Sequence, residues 1–315
     1  MSSYVVKRLL LFLPSAMGLL LVVFVLVRLI PGDSADAFSS EGTLSEADRQ
    51  KIQRDLGIDR PLHIQFALWF GNVLQGDFGL SAWEKRPVRD MLKERLPRSA
   101  ELAIFSLVLG VLWGIPLGVI SAVKRGTIVD YAVRVLSIVG ISLPSFVTGI
   151  AMLYILAVYF GWSPPLFYKA LWEDPGSNLL HQLLPSLVLG FGAAAPIARL
   201  TRSSLVEILG EDYIRTARAK GLSERVIIAR HALKNALLPV VTLSGGLVAG
   251  LLGGVVIVES IFIIPGMGTG LINAVTQRDY PALQAYVIVM SLIFLAVNLL
   301  VDLSYGLIDP RIRYR

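Results

Sequence analysis

The chain has 315 residues, of which 55% are hydrophobic and 17% are charged, and its mean hydropathy is +0.67. This apolar content exceeds that of a soluble domain of the same length and comes in long runs, which excludes a single soluble core. The formal net charge of +6 arises from Lys and Arg at the ends of those runs, a pattern typical of membrane topology and not of nucleic-acid binding.

Six apolar windows approach the length needed to cross a hydrocarbon layer about 30 Å thick. The fourth window is the shortest, with Pro185 at its entrance and Arg199 at its end, and Pro116, Pro144 and Pro196 predict kinks. Together the windows predict an all-α integral membrane protein with six transmembrane helices. The windows are approximately Leu9–Ile30, Leu102–Ala122, Val135–Phe160, Leu183–Ile197, Val240–Ile264 and Val287–Leu307.

Basic residues flank the windows on one side of the predicted membrane. They are Lys7, Arg8, Lys124, Arg125, the bases of residues 199–234, Arg311, Arg313 and Arg315. Because short basic loops stay in the cytoplasm, this pattern predicts that both termini are cytoplasmic. The first window is too long for a cleaved signal peptide and is followed by no small-residue cleavage pattern, so we expect it to be retained.

These windows divide the chain into four expected regions. Residues 1–30 form a cytoplasmic N-terminus and the first transmembrane helix, and residues 31–98 form an extracytoplasmic segment with a small ordered cap. Residues 99–308 form a core of five transmembrane helices that includes a cytoplasmic loop at residues 199–239. Residues 309–315 form a basic cytoplasmic tail.

Within that loop, the segment from Glu211 to Pro239 is charged although it lies between two apolar windows. Its pattern predicts a helix, a turn and a second helix. Gly221 is the left-handed stop of the first helix, and Ser223 with Glu224 starts the second. A charged, helix-patterned loop of this kind predicts docking of a cytoplasmic partner.

Two glycine series lie inside the windows with a four-residue spacing, which places each series on one helix face. Small residues in this spacing let two helix backbones approach closely, so we expect helix packing. For the series in the fifth window, lining of a transport pathway is the alternative. The two series are Gly110, Gly114 and Gly118 in the second window, and Gly246, Gly250 and Gly254 in the fifth.

Patterns that carry chemistry are few. The chain has no cysteine and no phosphate-cradling Gly-x-x-x-x-Gly-Lys-Ser/Thr loop, so we expect no cofactor in this chain. The glycine-rich residues 266–270 follow a membrane helix and are expected to form a loop or turn. His63, His181 and His231 lack metal-ligand spacing, and no catalytic constellation is evident, which disfavours a membrane-embedded enzyme.

Acidic residues are placed near window ends and not at the expected bilayer centre. Glu101, Glu259 and Asp302 all follow this pattern. A secondary carrier needs ionisable groups near the midplane, so the pattern disfavours a self-contained channel or an ion-coupled carrier.

The sequence YIRTARAKG at residues 213–221, continued by NALLP at 235–239, resembles the EAA loop of ABC importer permeases. The branch it resembles is the dipeptide, oligopeptide and nickel branch, of the dipeptide permease B type. The resemblance covers nearly the whole chain, with further matching blocks in one order. These blocks are RLIPGD at 28–33, LGIDRPL at 56–62, GDFG at 76–79, QRDYP at 277–281, NLLVD at 298–302 and DPRIR at 309–313.

The resemblance implies the type I ABC importer fold, with a cytoplasmic coupling helix that docks on an ATPase. Ala217 and Gly221 fit the second alanine and the glycine of the motif, whereas Arg215 and Thr216 occupy the positions of its glutamate and first alanine. Glu211, Asp212 or Glu224 is then the candidate acid for the ATPase. The docking residues expected from this match are Glu211, Asp212, Arg215, Thr216, Ala217, Lys220 and Gly221.

The implied function is that of the permease subunit of an ATP-driven importer for di- or oligopeptides in a bacterial inner membrane. Nickel chelates, opines and glutathione are alternative cargoes of the same class. The implied partners are a second homologous permease subunit, two ATP-binding subunits that carry ATP and Mg, an extracytoplasmic substrate-binding protein and membrane lipid, with no nucleic acid.

Overall fold

The computed structural model of the chain describes residues 2–29, 60–165 and 167–308. Within those ranges every regular element is helical, which confirms the all-α prediction. The helices are α1 Ser2–Leu29, α2 Leu62–Leu74, α3 Val88–Val123, α4 Ile128–Ser142, α5 Ser145–Phe160, α6 Pro175–Ile208, α7 Asp212–Ala219, α8 Glu224–Val226, a π-helical segment Ile227–Ala232, α9 Leu233–Ile261, α10 Met267–Thr276 and α11 Tyr280–Ile308. The expected tail 309–315 and most of the first half of the segment 31–98 lie outside the described residues.

Five helical stretches in the described part of the chain are long and apolar enough to span a membrane, and a bent pair raises the number to six. The pair is α4 and α5, which meet at an angle of 105°. The bend lies within the third window, which was predicted to be one span. Leu143 at the break has an extended conformation, because a residue that precedes proline disfavours the helical region. The kink predicted at Pro144 is therefore a full break of the span.

The fourth predicted span was too short, and α6 is one of the longest helices described, with 34 residues from Pro175 to Ile208. Its start is fixed by Asp174, whose carboxylate accepts a hydrogen bond from the Ser177 backbone N–H at 3.1 Å. Hydrogen bonds from the Ser177 hydroxyl and backbone hold the pKa of Asp174 well below its usual range. The prediction that Arg199 ends the helix is wrong. The apolar window ends there, but the helix continues as an amphipathic segment to Ile208.

The chain forms two compact units. Among the described residues, the first combines those of 100–264 with 300–308, and the second combines residues 2–29 and 60–99 with 265–299. In the first unit, Leu102, Val188, Val258 and Phe262 are buried in one apolar cluster that joins α3, α6 and α9. This cluster and the glycine contacts described below hold α6 at the centre of the unit.

A buried carboxylate links two segments of the second unit. Asp279 is 2% exposed and accepts hydrogen bonds from the Ser81 hydroxyl and from the Ala82 and Ala282 backbone N–H groups. It therefore joins the loop before α3 to the start of α11. Buried backbone N–H groups that lie outside regular secondary structure need other acceptors. The Asp279 carboxylate supplies them for both segments and so holds the two together.

The glycine-rich residues 266–270 do not form the predicted loop. They begin α10, whose first residue is Met267. A Cβ atom at Gly270 would lie 2.6 Å from Cζ of Tyr286. Close packing against Tyr286 inside the second unit, and not a turn, therefore explains why residue 270 is a glycine.

Candidate docking segment

The loop predicted to meet a partner folds as two helices joined by a tight turn, and residues 211–236 are called the docking segment from here on. Helix α7 ends at Ala219, and Gly221 follows with φ of +78°. This left-handed conformation is the predicted helix stop, and glycine adopts it without a Cβ penalty. Ser223 then precedes α8, which confirms the predicted start of the second helix.

The second helix is not a simple α-helix. After one turn, α8 gives way to the π-helical segment Ile227–Ala232 before α9 continues into the apolar part of the chain. Such wider turns are rare and are frequently found at functional sites. The docking segment is thus joined rigidly to α9, because no loop intervenes between the two.

An apolar base holds the docking segment to the rest of the first unit. The side chain of Ile214 is 0% exposed and that of Ala217 is 7% exposed. They pack in one cluster with residues from α3, α6 and the second helix, which are Ala122, Leu205, Ile227, Ala232 and Ala236. Helix α7 therefore rests on the ends of α3 and α6 through its Ile214 and Ala217 face.

The opposite face of the docking segment is polar and exposed. Of the seven residues predicted to dock, Ala217 is the exception, since it faces the apolar base and is not available to a partner. Its small side chain instead lets α7 lie close to that base. The six that remain exposed are Glu211, Asp212, Arg215, Thr216, Lys220 and Gly221.

An ion pair closes the turn between the two helices. The Arg218 guanidinium donates to the Glu224 carboxylate through Nε at 2.7 Å and through Nη2 at 3.3 Å. This hydrogen bonding raises the pKa of Arg218 above its usual range. Asn235 Nδ2 also donates to the Tyr213 hydroxyl at 3.0 Å. This bond joins α7 to α9 in addition to their contact in the apolar base.

The three candidate acids differ in their surroundings. Glu224 is engaged by Arg218, and Asp212 lies 3.1 Å from Arg215 on the same exposed helix face. The Glu211 side chain is exposed at the start of α7 and makes no capping hydrogen bond. The helix dipole favours a carboxylate at the start of a helix, and Glu211 places an exposed acid there.

The first glycine series lies against α6. A Cβ atom at Gly110 would lie 2.8 Å from Cβ of Ala193, and one at Gly114 would lie 2.6 Å from Cγ2 of Ile197. A Cβ atom at Gly118 would lie 2.5 Å from Cβ of Thr201. The backbones of α3 and α6 approach closely only because no side chain is present at these positions.

The second glycine series behaves differently. A Cβ atom at Gly246 or Gly250 would meet no described atom within 4 Å, whereas one at Gly254 would lie 3.1 Å from the Leu189 side chain. The neighbouring Gly245 packs closely instead, with Val301 Cγ2 at 2.6 Å. Most of the predicted series on α9 is thus uncovered within the described chain.

A buried polar cluster surrounds Glu101 in the first unit. Its carboxylate accepts hydrogen bonds from the Tyr168 hydroxyl at 2.9 Å and from Asn178 Nδ2 at 3.3 Å. Burial, followed by the bond to Glu101, raises the pKa of Tyr168 to about 12. Glu259, which lies near the end of the fifth predicted window, is completely buried near the end of α9.

The helical arrangement is that of a type I ABC importer permease. The chain is similar to the solved inward-facing structure of the MetNI methionine ABC transporter, with a TM-score of 0.55, 18% identity and coverage of 70% of this chain and 96% of that chain. It is also similar to an amino acid ABC transporter with histidines, with a TM-score of 0.53, 16% identity and coverage of 68% and 92%.

The chain belongs to the family of binding-protein-dependent transport system inner membrane components, whose model matches residues 114–314. The N-terminal model of the same membrane component matches residues 1–103. The glutathione transport system permease proteins GsiC of Salmonella choleraesuis strain SC-B67 and of Escherichia coli strain K12 are 42% and 41% identical to it over 318 residues, and each match covers 100% of both chains. The chain is therefore an ABC importer permease and a multi-pass membrane protein.

Proposed function

We propose that this permease imports short peptides and that the docking segment transmits ATP-driven movement to its membrane helices. The observation that carries this proposal is the two-faced docking segment, with an apolar base and an exposed polar surface. Whole-length similarity to permeases named for glutathione transport supports a peptide cargo, because glutathione is itself a small peptide. Glutathione is accordingly the first cargo to test.

The complete importer contains this chain, a second homologous permease subunit, two ATPase subunits that bind ATP and Mg, and an extracytoplasmic substrate-binding protein. The uncovered glycines Gly246 and Gly250 support a second permease subunit, because small residues on an open helix face suit close approach or a pathway wall. Both chain termini and the docking segment lie in the cytoplasm of a bacterial cell. The expected regions 1–30, 31–98, 99–308 and 309–315 follow from this topology.

Closure of the two ATPase subunits acts on the docking segment as a lever. Helix α7 rests on α3 and α6, and the second helix runs into α9 without an intervening loop. Movement of the exposed face is therefore passed to three membrane helices together. The result is a switch of the pathway between outward-open and inward-open states.

Glu211 supplies the acid that the motif glutamate supplies elsewhere. Its exposed carboxylate lies at the start of α7, and no hydrogen bond within the described residues engages it. Asp212 is a second exposed acid beside it, while Glu224 is held by Arg218. A base on the ATPase is the complementary group.

Co-purification of the ATPase subunit from membranes tests the docking role. The charge-reversing double variant Arg215→Glu/Lys220→Glu changes only exposed side chains, so we expect the permease to fold while ATPase recovery falls about tenfold or more, which corresponds to ~1.4 kcal/mol. Arg89→Glu is the matched control, because Arg89 is 59% exposed and lies outside the docking segment. Equal recovery of ATPase with the native permease, the double variant and the Arg89→Glu control would contradict the proposal. Glutathione uptake without any ATPase would favour a channel or carrier.

A further inference from the structure

One buried carboxylate in the first unit joins three helices. Asp130, in the first turn of α4, is engaged by Arg202 of α6 through Nε at 2.6 Å and through Nη2 at 2.9 Å. The Ser121 hydroxyl of α3 donates to the same carboxylate at 2.6 Å, and the Gly126 backbone N–H donates at 3.0 Å. These four residues are called the Asp130 clasp.

The carboxylate of the clasp is buried and fully engaged, and its guanidinium partner is partly buried. The Asp130 side chain is 2% exposed and that of Arg202 is 21% exposed. A buried ion pair contributes little net stability relative to a well-packed apolar pair, but removal of one member is strongly unfavourable because it leaves a charge uncompensated. Forked guanidinium to carboxylate contacts also fix geometry, so the clasp sets the orientation of α4 and α6.

The clasp lies directly beside the apolar base of the docking segment. Ser121 precedes Ala122, and Arg202 lies one turn before Leu205, and both Ala122 and Leu205 belong to that base. The same ends of α3 and α6 thus hold the docking segment on one side and α4 on the other. Helix α4 in turn forms the first half of the sharply bent pair.

We propose that Asp130 and Arg202 are positioning residues that couple movement of the docking segment to α4. The inference rests on the proposed docking role and adds a specific path, since the apolar base by itself reaches α3, α6 and α9 but not α4. Without the clasp, the ATPase still binds and α4 stays packed on α6 through Gly140 and Ala195, but the first turn of α4 no longer follows the corner formed by α3 and α6. ATP hydrolysis then proceeds with little transport.

The test uses the complete importer reconstituted in lipid vesicles and measures glutathione transported per ATP hydrolysed. Asp130→Asn and Arg202→Lys each weaken the clasp, and the second keeps the positive charge while it removes the fork. Arg125→Gln is the matched control, because Arg125 is exposed in the turn between α3 and α4 and is not a contact of the Asp130 carboxylate. ATPase co-purification is measured on the same preparations.

We expect both clasp variants to retain the ATPase and to lower transport per ATP by about fivefold or more, the lower end of typical coupling energies. Arg125→Gln should leave the ratio unchanged. The double variant Asp130→Asn/Arg202→Gln should be no worse than Arg202→Gln alone, since both residues act through one interaction.

An unchanged transport ratio in Arg202→Lys would overturn the inference, even if Asp130→Asn failed to assemble. A fall in the ratio for Arg125→Gln equal to that of the clasp variants would also overturn it, because a general charge effect would then explain the loss. Failure of the native permease to bind ATPase at all would instead overturn the docking role on which the inference rests.

Discussion

The variant Gly118→Leu should fail to form a stable membrane protein. A Cβ atom at Gly118 would already lie 2.5 Å from Cβ of Thr201 and 2.6 Å from the carbonyl oxygen of Ala198, which is backbone and has no rotamer to change. One extra carbon in a packed interface costs about 1–3 kcal/mol, and leucine adds a branched chain beyond it. Thermal unfolding in detergent and the yield of monodisperse protein measure the loss.

Gly250→Leu is the matched control, because it adds the same side chain to a glycine of another long apolar helix. A Cβ atom at Gly250 would meet no described atom within 4 Å, so the isolated chain should unfold near the native temperature. In the complete importer the same variant should weaken assembly or transport if this face of α9 meets the second permease subunit. Equal stability of Gly118→Leu and Gly250→Leu would contradict the packing of α3 on α6.

The second large effect is expected at the base of the docking segment. Ile214→Asp places an unpaired carboxylate where the side chain is 0% exposed, and an ionised group in such surroundings is strongly unfavourable. Helix α7 should detach from α3 and α6, so ATPase co-purification should be lost while the membrane helices remain folded. Limited proteolysis should then cleave near Gly221 faster than in the native protein.

Ile214→Val distinguishes packing from a direct contact with the ATPase. It removes one methylene from the base, which costs about 0.5–1.5 kcal/mol, and it leaves the exposed face untouched. We expect ATPase recovery close to the native amount with this variant. Native recovery with Ile214→Asp would show that α7 does not rely on its apolar base.

The sequence predicts the helical elements well where one physical signal dominates. Long apolar runs identify the membrane spans, and the φ of +78° at Gly221 confirms the predicted helix stop. Ends of helices are less visible in the sequence, because hydrophobicity marks only the part in lipid. Hence α6 continues to Ile208 beyond Arg199, and α11 begins at Tyr280 and not at Val287.

The spacing of residues along the sequence does not predict contacts between residues that are far apart in the chain. Asp130 and Arg202 are 72 positions apart, and neither sequence position identifies its partner. The signal in the sequence is an acid in the first turn of a mostly apolar helix, which calls for a compensating base. Arg134 lies only four positions from Asp130, yet at 3.7 Å it is the more peripheral contact of the same carboxylate.

The two glycine series show a similar limit. Their spacing is identical, yet Gly110, Gly114 and Gly118 pack on α6 whereas Gly246 and Gly250 face no described atom. Spacing identifies a helix face but not what covers it. Ala217 likewise matched a docking motif by position, while its burial assigns it to the apolar base.

Site-specific cross-linking tests the central claim most directly, because the chain has no cysteine and a single introduced thiol is unique within it. Arg215→Cys carries a thiol-specific photoreactive probe on the exposed face of α7, and Arg89→Cys carries the same probe outside the docking segment. In vesicles that contain the complete importer, we predict an adduct of the ATPase subunit with the probe at 215 and none with the probe at 89. Adducts from both positions in equal amount, or from neither, would contradict docking of the ATPase on this segment.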